Sequence, residues 1–213
     1  MWHSIAEEKN AHIGKSVHVV GAGPNANSIE KLEKTNNNIF IAINRGIVHR
    51  TDFDYMFVDH HFTLNDTNKF HGHAQKICMP IWSRKELNIN NELAQQTREK
   101  IRLYTWVYKH EGVLQEVDPN DPDGSLNDII LYIDYGNLQS IISFAKLIGA
   151  NSVTLHGCNG SGQNGQYYSD KILQYYPQLE KIKDRRVESY QRCNNKLFDI
   201  AKKLKVTIAH ANY

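Results

Sequence analysis

Long hydrophobic runs, disulfide-forming cysteines and an excess of one charge are all missing from this sequence. No stretch of about 18 consecutive apolar residues occurs, so we expect no membrane-spanning helix, and any membrane contact would be peripheral. Residues 1–14 carry scattered charges without an apolar run, so we expect no signal peptide. The three cysteines, Cys78, Cys158 and Cys193, form no Cys-x-x-Cys pair, which excludes a zinc ribbon and a disulfide framework and favours a cytoplasmic location.

The charge of the chain is nearly balanced. Lys and Arg number 25 against 23 Asp and Glu, and the net charge is +2. A DNA-binding domain usually carries a large basic excess, so we expect no nucleic-acid partner, although a local basic pocket for a phosphate is compatible with this balance. The length of 213 residues, 40% of them hydrophobic, is enough for one substantial core, and we expect a single domain over 1–213.

Short β-branched segments alternate with segments of helical periodicity. Strands are predicted over 16–20, 38–43, 55–58, 76–81, 152–155 and 205–209. Helices are predicted from about 25 or 27 to 33, over 137–148, where Gly149 closes an apolar face, and over 194–204. This alternation predicts an α/β, Rossmann-like fold with a mostly parallel sheet and helices on both faces.

The middle of the chain has a different character. Residues 86–102 are polar and favour a helix, 103–108 favour a strand, and 118–127 form a loop rich in Asp, Asn, Pro and Gly. We therefore expect 83–128 to be an insertion or lid and not a separate domain. Aromatic residues such as Trp106 and Tyr108 fit a lid, the core or the interface of a homo-oligomer.

Polar and glycine-rich residues follow several of the predicted strands. In parallel sheets, ligands bind beyond the carboxyl ends of the strands, near the point where the strand order reverses. Gly21 and Gly23, with Pro24 and Asn25, would let backbone amides approach an anion at the start of a helix. With only two glycines the pattern is a poor dinucleotide fingerprint, and a tight turn without a ligand is the alternative.

The next two strand ends carry candidate ligand-binding side chains. Asn44 can bond a base or ribose and Arg45 can fork onto a phosphate, although a loop asparagine beside a surface arginine is equally compatible. Asp59 and His61 end the third strand. Carboxylate and imidazole are zinc ligands, but no His-Glu-x-x-His spacing occurs, and we expect no metal site.

The tract 157–165 contains four glycines in nine residues, and two tyrosines follow it. Such a tract cannot pack a core, so it predicts a loop whose backbone approaches another group. The phenols of Tyr167 and Tyr168 could donate to a phosphate oxygen. A surface loop with a packing tyrosine is the alternative.

The order of these motifs resembles a known family. The motifs are GAGPN at 21–25, AINR at 42–45, DYMFVD at 54–59, GN at 136–137, VTLHGCN at 153–159 and QNGQYY at 163–168. Together they resemble the bacterial sialyltransferases with a single Rossmann-type domain, and their relatives, the flagellin-modifying motility accessory factors and the archaeal hydroxymethylpterin diphosphokinase-like proteins. The resemblance covers most of the chain except its middle.

The resemblance implies a metal-independent transfer of a sugar from a CMP-linked donor to a glycan acceptor, with no bound cofactor. It implies that Tyr167 or Tyr168 assists departure of the phosphate. The implied nucleotide-binding residues follow several strands: Gly21, Gly23, Pro24, Asn25, Asn44, Asp59, Gly136, Asn137, Gly157 and Asn159. Because Asp59 would lie beside a phosphate, it needs a cationic neighbour, and Arg45 is the candidate.

One departure concerns the catalytic base. The sialyltransferases place a catalytic histidine ahead of the last helix and strand, where counting back in this sequence leads to Glu188. A glutamate can act as a general base, but its ordinary pKa of about 4.3 makes it weaker than histidine. His61 or His210 could replace it, and we take Glu188, His61 and Tyr168 as the candidate catalytic residues.

Three functions are therefore compatible with the sequence. The first is a sialyltransferase-like glycosyltransferase of surface glycan synthesis. The second is an ATP-dependent diphosphokinase, in which Mg²⁺ would be held by Asp59 and by acidic residues of the 118–127 loop. The third is a non-catalytic nucleotide-binding module.

Overall fold

Parallel strands alternate with helical segments along the chain, as the sequence predicts. A computed structural model describes residues 3–58, 61–80, 95–110, 113–114, 130–133, 137–158, 167–181 and 187–211. Its strands are β1 (His3–Ser4), β2 (Ser16–Val20), β3 (Asn38–Ile43), β4 (Phe53–Phe57), β5 (Ala74–Pro80), β6 (Ile101–His110), β7 (Val113–Leu114), β8 (Ile130–Ile133), β9 (Ser152–His156) and β10 (Thr207–His210).

Two kinds of helix connect these strands. The α-helices are α1 (His61–Asp66), α2 (Gln95–Lys100), α3 (Asn137–Leu147), α4 (Asp170–Tyr175) and α5 (Val187–Leu204). Short 3₁₀ segments cover Ile5–Glu8, Pro24–Lys31, Asn44–His49, Asn68–His73 and Pro177–Lys181. None of the helices in the described ranges is both long and apolar enough to cross a membrane.

The strands form one open sheet in the order β1-β6-β5-β4-β3-β2-β9-β10, and all neighbours along this path are parallel. Off this path, β7 pairs antiparallel and β8 parallel with β6. The strands β3 to β6 follow in order on one side of β2, whereas β9 and β10 lie on its other side. The fold is therefore a Rossmann-like α/β fold, and its order reverses between β2 and β9, where such sheets bind ligands.

The predicted strands are found with small shifts, whereas three helix predictions need correction, of which the last, over 194–204, starts too late because α5 begins at Val187. The predicted helix over 86–102 ends too late, because Ile101 is buried and starts β6; its first part, before 95, lies outside the described residues. The segment from Pro24 is a 3₁₀ helix, in which the Ser28 hydroxyl donates to Asn25 O at 3.0 Å. Asparagine and serine compete in this way with α-helical hydrogen bonding.

The segment 83–128, predicted as an insertion or lid, supplies a strand of the main sheet. β6 pairs with β5 on one side and with β1 on the other, and its residues 105–108 pair with β8. Ile101 and Leu103 are fully buried in this strand. The predicted loop at 118–127 lies outside the described residues.

Apolar residues cover both faces of the sheet, because alternate residues of a strand point to opposite sides. On the first face, Val17 and Val19 of β2 join a cluster that includes buried residues of α3 and α5. On the second face, Val20 and Phe40 join a cluster covered by the 3₁₀ segments Pro24–Lys31 and Asn44–His49 and by residues around α4. The prediction of helical cover on both faces is confirmed.

A buried carboxylate ties the amino-terminal segment to the sheet. Glu8 is 2% exposed and accepts hydrogen bonds from Tyr55 Oη at 2.7 Å, Lys76 Nζ at 2.6 Å and Arg102 Nε at 3.2 Å. Burial alone would raise the pKa of Glu8, but hydrogen bonds from Lys76, Tyr55 and Arg102 outweigh it and lower that pKa. One side chain thus connects the Ile5–Glu8 segment to three strands.

Replacing this carboxylate should destabilise the protein. We expect Glu8→Gln to lower the free energy of unfolding by about 2–4 kcal/mol, because Lys76 and Arg102 lose their counter-charge in a buried environment. Glu7→Gln is the matched control, since Glu7 is half-exposed and a glutamine can still accept from Ser4 N in the capping box. Urea denaturation at pH 7 measures both variants, and equal losses would contradict the proposed anchor.

Candidate functional site

The turns after β2, β3 and β9 pack against one another, backbone to backbone, at the carboxyl edge of the sheet. Gly21 N donates to His156 O at 2.8 Å, and Gly23 N donates to Gly157 O at 2.9 Å. A Cβ atom at Gly21 would lie 2.6 Å from Gly157 O, and one at Gly46 would clash with Val20 O. The four glycines are therefore needed for the close approach of three turns at the reversal of strand order.

The same packing alters the predicted role of the glycine turn. Gly21 N and Gly23 N both have protein acceptors, so these two amides are not available to cradle an anion. Pro24 has no N–H, and it starts the following 3₁₀ segment. The turn thus fixes the shape of the edge, and the amides of Gly21 and Gly23 serve this packing instead of a ligand.

Asn44 has two unusual features at this edge. Its φ of +50° lies in the left-handed region, which asparagine tolerates better than other non-glycine residues. Its Oδ1 is buried and has no hydrogen-bond partner in the described part of the chain. A strained residue with an unsatisfied buried acceptor is a feature typical of ligand-binding sites.

Arg45 forms an ion pair with Asp66, a partner that the sequence did not predict. Its Nη2 lies 2.7 Å from Asp66 Oδ2, and its guanidinium lies 5.3 Å from the centre of the Tyr176 ring. Burial, followed by the effect of Asp66, raises the pKa of Tyr176 to about 12. Arg45 Nε is buried and has no hydrogen-bond partner among the described residues, and Asp59 lies outside them, so the role of Arg45 toward a phosphate or Asp59 stays a prediction.

Helix α3 brings its first residue to the same edge. Asn10 N and His12 N, which precede β2, donate to Leu147 O and Ile148 O at 2.9 and 2.8 Å. The carboxyl end of α3 therefore lies at the amino edge of the sheet. Because the helix runs antiparallel to the strands, Asn137 lies at the opposite, carboxyl edge.

Two side chains of α3 each have a buried polar atom without a partner among the described residues. Asn137 is 7% exposed and Ser140 is fully buried. Asn137 Nδ2 and Ser140 Oγ have no hydrogen-bond partner among the described residues. Ile43, next to Asn44, and Leu138, next to Asn137, both pack against the cluster on the first face. An unused acceptor, an unused donor and an unused hydroxyl thus occur at one edge of one sheet.

The two tyrosines lie beside the turn that follows β2. Ser169 N donates to Ala22 O at 2.9 Å, and the rings of Tyr167 and Tyr168 meet edge to face with centres 4.7 Å apart. Tyr168 is 8% exposed and packs in the cluster on the second face, whereas Tyr167 is half-buried at its margin. Of the two phenols, Tyr167 is therefore the more accessible to a ligand.

The candidate bases can be placed at the level of the backbone. His61 begins α1, directly beyond β4, and Glu188 lies in the first turn of α5. Because α5 ends just before β10, its first turn lies toward the carboxyl edge. His210 ends β10 at that edge, and burial lowers its pKa. Gly136 and Asn159 lie outside the described residues.

Two histidine networks on the second face were missed by the sequence analysis. His156 Nε2 lies 3.2 Å from His18 Nδ1, and His156 Nδ1 lies 2.9 Å from Ser28 Oγ. His49 Nε2 lies 3.0 Å from Ser169 Oγ. The period of two in β2 and β9 puts His18 and His156 on one face, so this pair had a sequence signal. No group of three or more potential metal ligands occurs among the described residues.

Burial keeps two imidazoles of these networks, His49 and His156, and a third in Asn68–His73, His71, neutral. It lowers the pKa of His49, His71 and His156 to about 4, with Glu30 opposing the effect at His49 and His18 adding to it at His156. Each ring is at most 6% exposed. A charged imidazole at any of these positions would lose the hydration that it has in the unfolded chain, so burial favours the neutral form.

We expect Gly46→Ala to lower the free energy of unfolding by about 2–4 kcal/mol, because the added methyl group meets the Val20 carbonyl of a packed turn. Gly72→Ala is the control, since a Cβ there meets no heavy atom of the described residues within 4 Å. It should change stability by less than about 1 kcal/mol. Chemical denaturation of both variants tests the packing, and an unaffected Gly46→Ala protein would refute it.

The neutral histidines should make the fold acid-sensitive. An unfolded histidine titrates near 6.5, whereas these three titrate near 4 in the folded protein. Between these values the unfolded chain binds more protons, so the free energy of unfolding should fall as pH drops from about 6.5 to 4, by up to about 1.4 kcal/mol per pH unit for each histidine. Urea denaturation at half-unit pH steps measures the slope. A flat profile in this window would contradict the assignment.

Comparison of the sequence with protein-family models finds no match, and neither does comparison with curated proteins. Among solved structures, the chain is similar to the sialyltransferase CstII from Campylobacter jejuni, in complex with the substrate analogue CMP-3FNeuAc. The TM-score is 0.44 and the identity 10%, over 92% of this chain and 80% of that chain.

Proposed function

We propose that this chain is a glycosyltransferase that binds the nucleotide of a CMP-linked sugar at the carboxyl edge and transfers the sugar to a glycan acceptor. One observation carries the proposal: Asn44 Oδ1, Asn137 Nδ2 and Ser140 Oγ are buried without protein partners in the described chain. Their residues lie beyond β3 and at the start of α3, close to the reversal of strand order.

Unpaired buried polar atoms are costly, at about 1–3 kcal/mol each, so a binding partner is the simplest reason for keeping them. An amide oxygen accepts, an amide nitrogen donates, and a hydroxyl does both. Cytosine presents an amino donor next to acceptor atoms, and ribose presents hydroxyls, so a cytidine nucleotide could satisfy all three. This complementarity supports the binding of a cytidine nucleotide. The order of the strand-end motifs supports the proposal that this nucleotide carries a sugar.

The transfer itself breaks the bond between the anomeric carbon and a phosphate oxygen of CMP, and forms a bond from an acceptor hydroxyl oxygen to that carbon. Negative charge develops on the departing phosphate. The phenol of Tyr167, or of Tyr168, would donate to it, and the positive end of α3 would add stabilisation. The proposed reaction uses these donors and no metal ion or other cofactor.

The acceptor hydroxyl must lose its proton as it attacks. Glu188 at the start of α5 and His61 at the start of α1 are the proposed bases, with His210 at the end of β10 as the alternative. Burial lowers the pKa of His210, so its ring is neutral and able to accept a proton at pH 7. The base would hold this proton until solvent or the released phosphate takes it.

Nucleotide binding is tested by thermal shift with CMP, CDP, UDP, GDP, and ATP with and without Mg²⁺. We expect CMP to stabilise the protein. Asn44→Gly should weaken CMP binding about tenfold, which corresponds to one hydrogen bond, without lowering the melting temperature, because glycine adopts the left-handed backbone freely. Asn10→Gly is the matched control, since Asn10 also has a positive φ of 60° but lies before β2, at the amino edge.

The other results of this panel each have a meaning. If no nucleotide stabilises the protein, the proposal fails. Stabilisation by ATP only in the presence of Mg²⁺ would replace the glycosyltransferase by a diphosphokinase. Binding of CMP without sugar transfer from any CMP-linked donor to a broad acceptor panel would leave a non-catalytic nucleotide-binding module.

A further inference from the structure

A buried histidine connects three of the chain segments that form the proposed site. His49 is the last residue of the Asn44–His49 segment and is 2% exposed. Its Nε2 lies 3.0 Å from Ser169 Oγ, and its Nδ1 lies 3.4 Å from Glu30 Oε1. Lys171 Nζ donates to Glu30 Oε1 at 2.9 Å and to His49 O at 3.2 Å. We call Glu30, His49, Ser169 and Lys171 the His49 network.

Each member of the network belongs to a segment with residues of the proposed site. Glu30 lies near the end of Pro24–Lys31, which follows the glycine turn. His49 closes the segment that begins with Asn44. Ser169 follows the two tyrosines, and its own N–H is bonded to Ala22 O. The network therefore links the turns after β2 and β3 to the tyrosine pair.

The hydrogen bonds of the network are compatible with one arrangement of protons. The Glu30 carboxylate can only accept, so His49 Nδ1 carries the proton. In a neutral ring, Nε2 then accepts from the Ser169 hydroxyl. Ser169 Oγ at the same time accepts from Ile172 N at 3.3 Å and caps α4. Directional bonds thus fix Ser169, and with it the orientation of the preceding tyrosines.

The order serine, histidine and carboxylate also occurs in hydrolases that use a serine nucleophile. Ser169 differs from such a nucleophile because it is fully buried and its oxygen caps a helix. The network is therefore better explained as a support for neighbouring segments than as a reaction centre.

We propose that His49 is a positioning residue, which through Ser169 and Glu30 holds Tyr167 and Tyr168 against the glycine turn in the form that binds nucleotide. Its importance for ligand binding rests on the proposed function. The order that it imposes on the tyrosines exists in the free protein and is measurable without a ligand.

The test compares Ser169→Ala and His49→Gln with His71→Gln. His71 is also a buried, neutral histidine, but it lies in Asn68–His73, just before β5, and has none of the network contacts. Ser169→Thr keeps the hydroxyl and serves as the rescue variant. All proteins are studied well below their melting temperatures, so that loss of stability is not the variable measured.

The first measurement is the rate of nitration of Tyr167 and Tyr168 in the free protein, followed by mass spectrometry. Local release of a buried segment raises such rates, so we expect an increase of about fivefold or more in Ser169→Ala and His49→Gln, and little change in His71→Gln and Ser169→Thr. The second is the dissociation constant for CMP, which we expect to rise about tenfold in the first two variants only.

The inference is overturned if Ser169→Ala and His49→Gln nitrate at the rate of His71→Gln. Labelling of Ser169 in the unaltered protein by a fluorophosphonate probe would also overturn it, because it would show an accessible nucleophile. If the unaltered protein binds no CMP, the proposed function fails, and the nitration rates still decide whether His49 positions the tyrosines. If CMP binds and its dissociation constant is unchanged in Ser169→Ala and His49→Gln, the positioning role fails while the proposed function stands.

Discussion

Close packing of three backbone turns at the reversal of strand order is the constraint on which the rest of the site depends. Gly21, Gly46 and Gly157 each bring main-chain atoms so near a neighbouring turn that no side chain fits between them. The parallel strands put these turns at one edge, and glycine lets them touch. This contact determines where the residues of these turns, Asn44 among them, are placed relative to β9.

That packing also decides which groups are left to bind a ligand. In many Rossmann-like proteins the amides of the glycine turn hold a phosphate. Here Gly21 N and Gly23 N donate to backbone carbonyls of the β9 turn. Among the described residues of this edge, buried atoms without a hydrogen-bond partner occur on the side chains of Asn44, Arg45, Asn137 and Ser140.

The sequence predicted the strands well and the contacts of the site poorly, for physical reasons. Strands such as Ser16–Val20 are recognisable because β-branched residues and turn glycines are local signals. The partner of Arg45 could not be read in this way, since Asp66 belongs to another element. The His49 network was invisible for the same reason: Ser169 lies 120 residues from His49. Only the alternation of side chains along each strand indicated that His18 and His156 lie on the same face of the sheet.

Apolar burial holds both faces of the sheet, and buried hydrogen bonds add to it on each face, through Glu8 and Tyr55 on the first and through His49 and His156 on the second. Long helices α3 and α5 cover the first face through apolar contacts, which are strong but non-directional. The 3₁₀ segments on the second face are too short to bury a long apolar stripe, and buried hydrogen bonds of His49 and His156 add to their packing. Hydrogen bonds specify orientation as well as proximity. The hydrogen bonds of His49 and His156 therefore hold the loop segments of the second face in fixed orientations, while Asn137 is held by α3 on the first face.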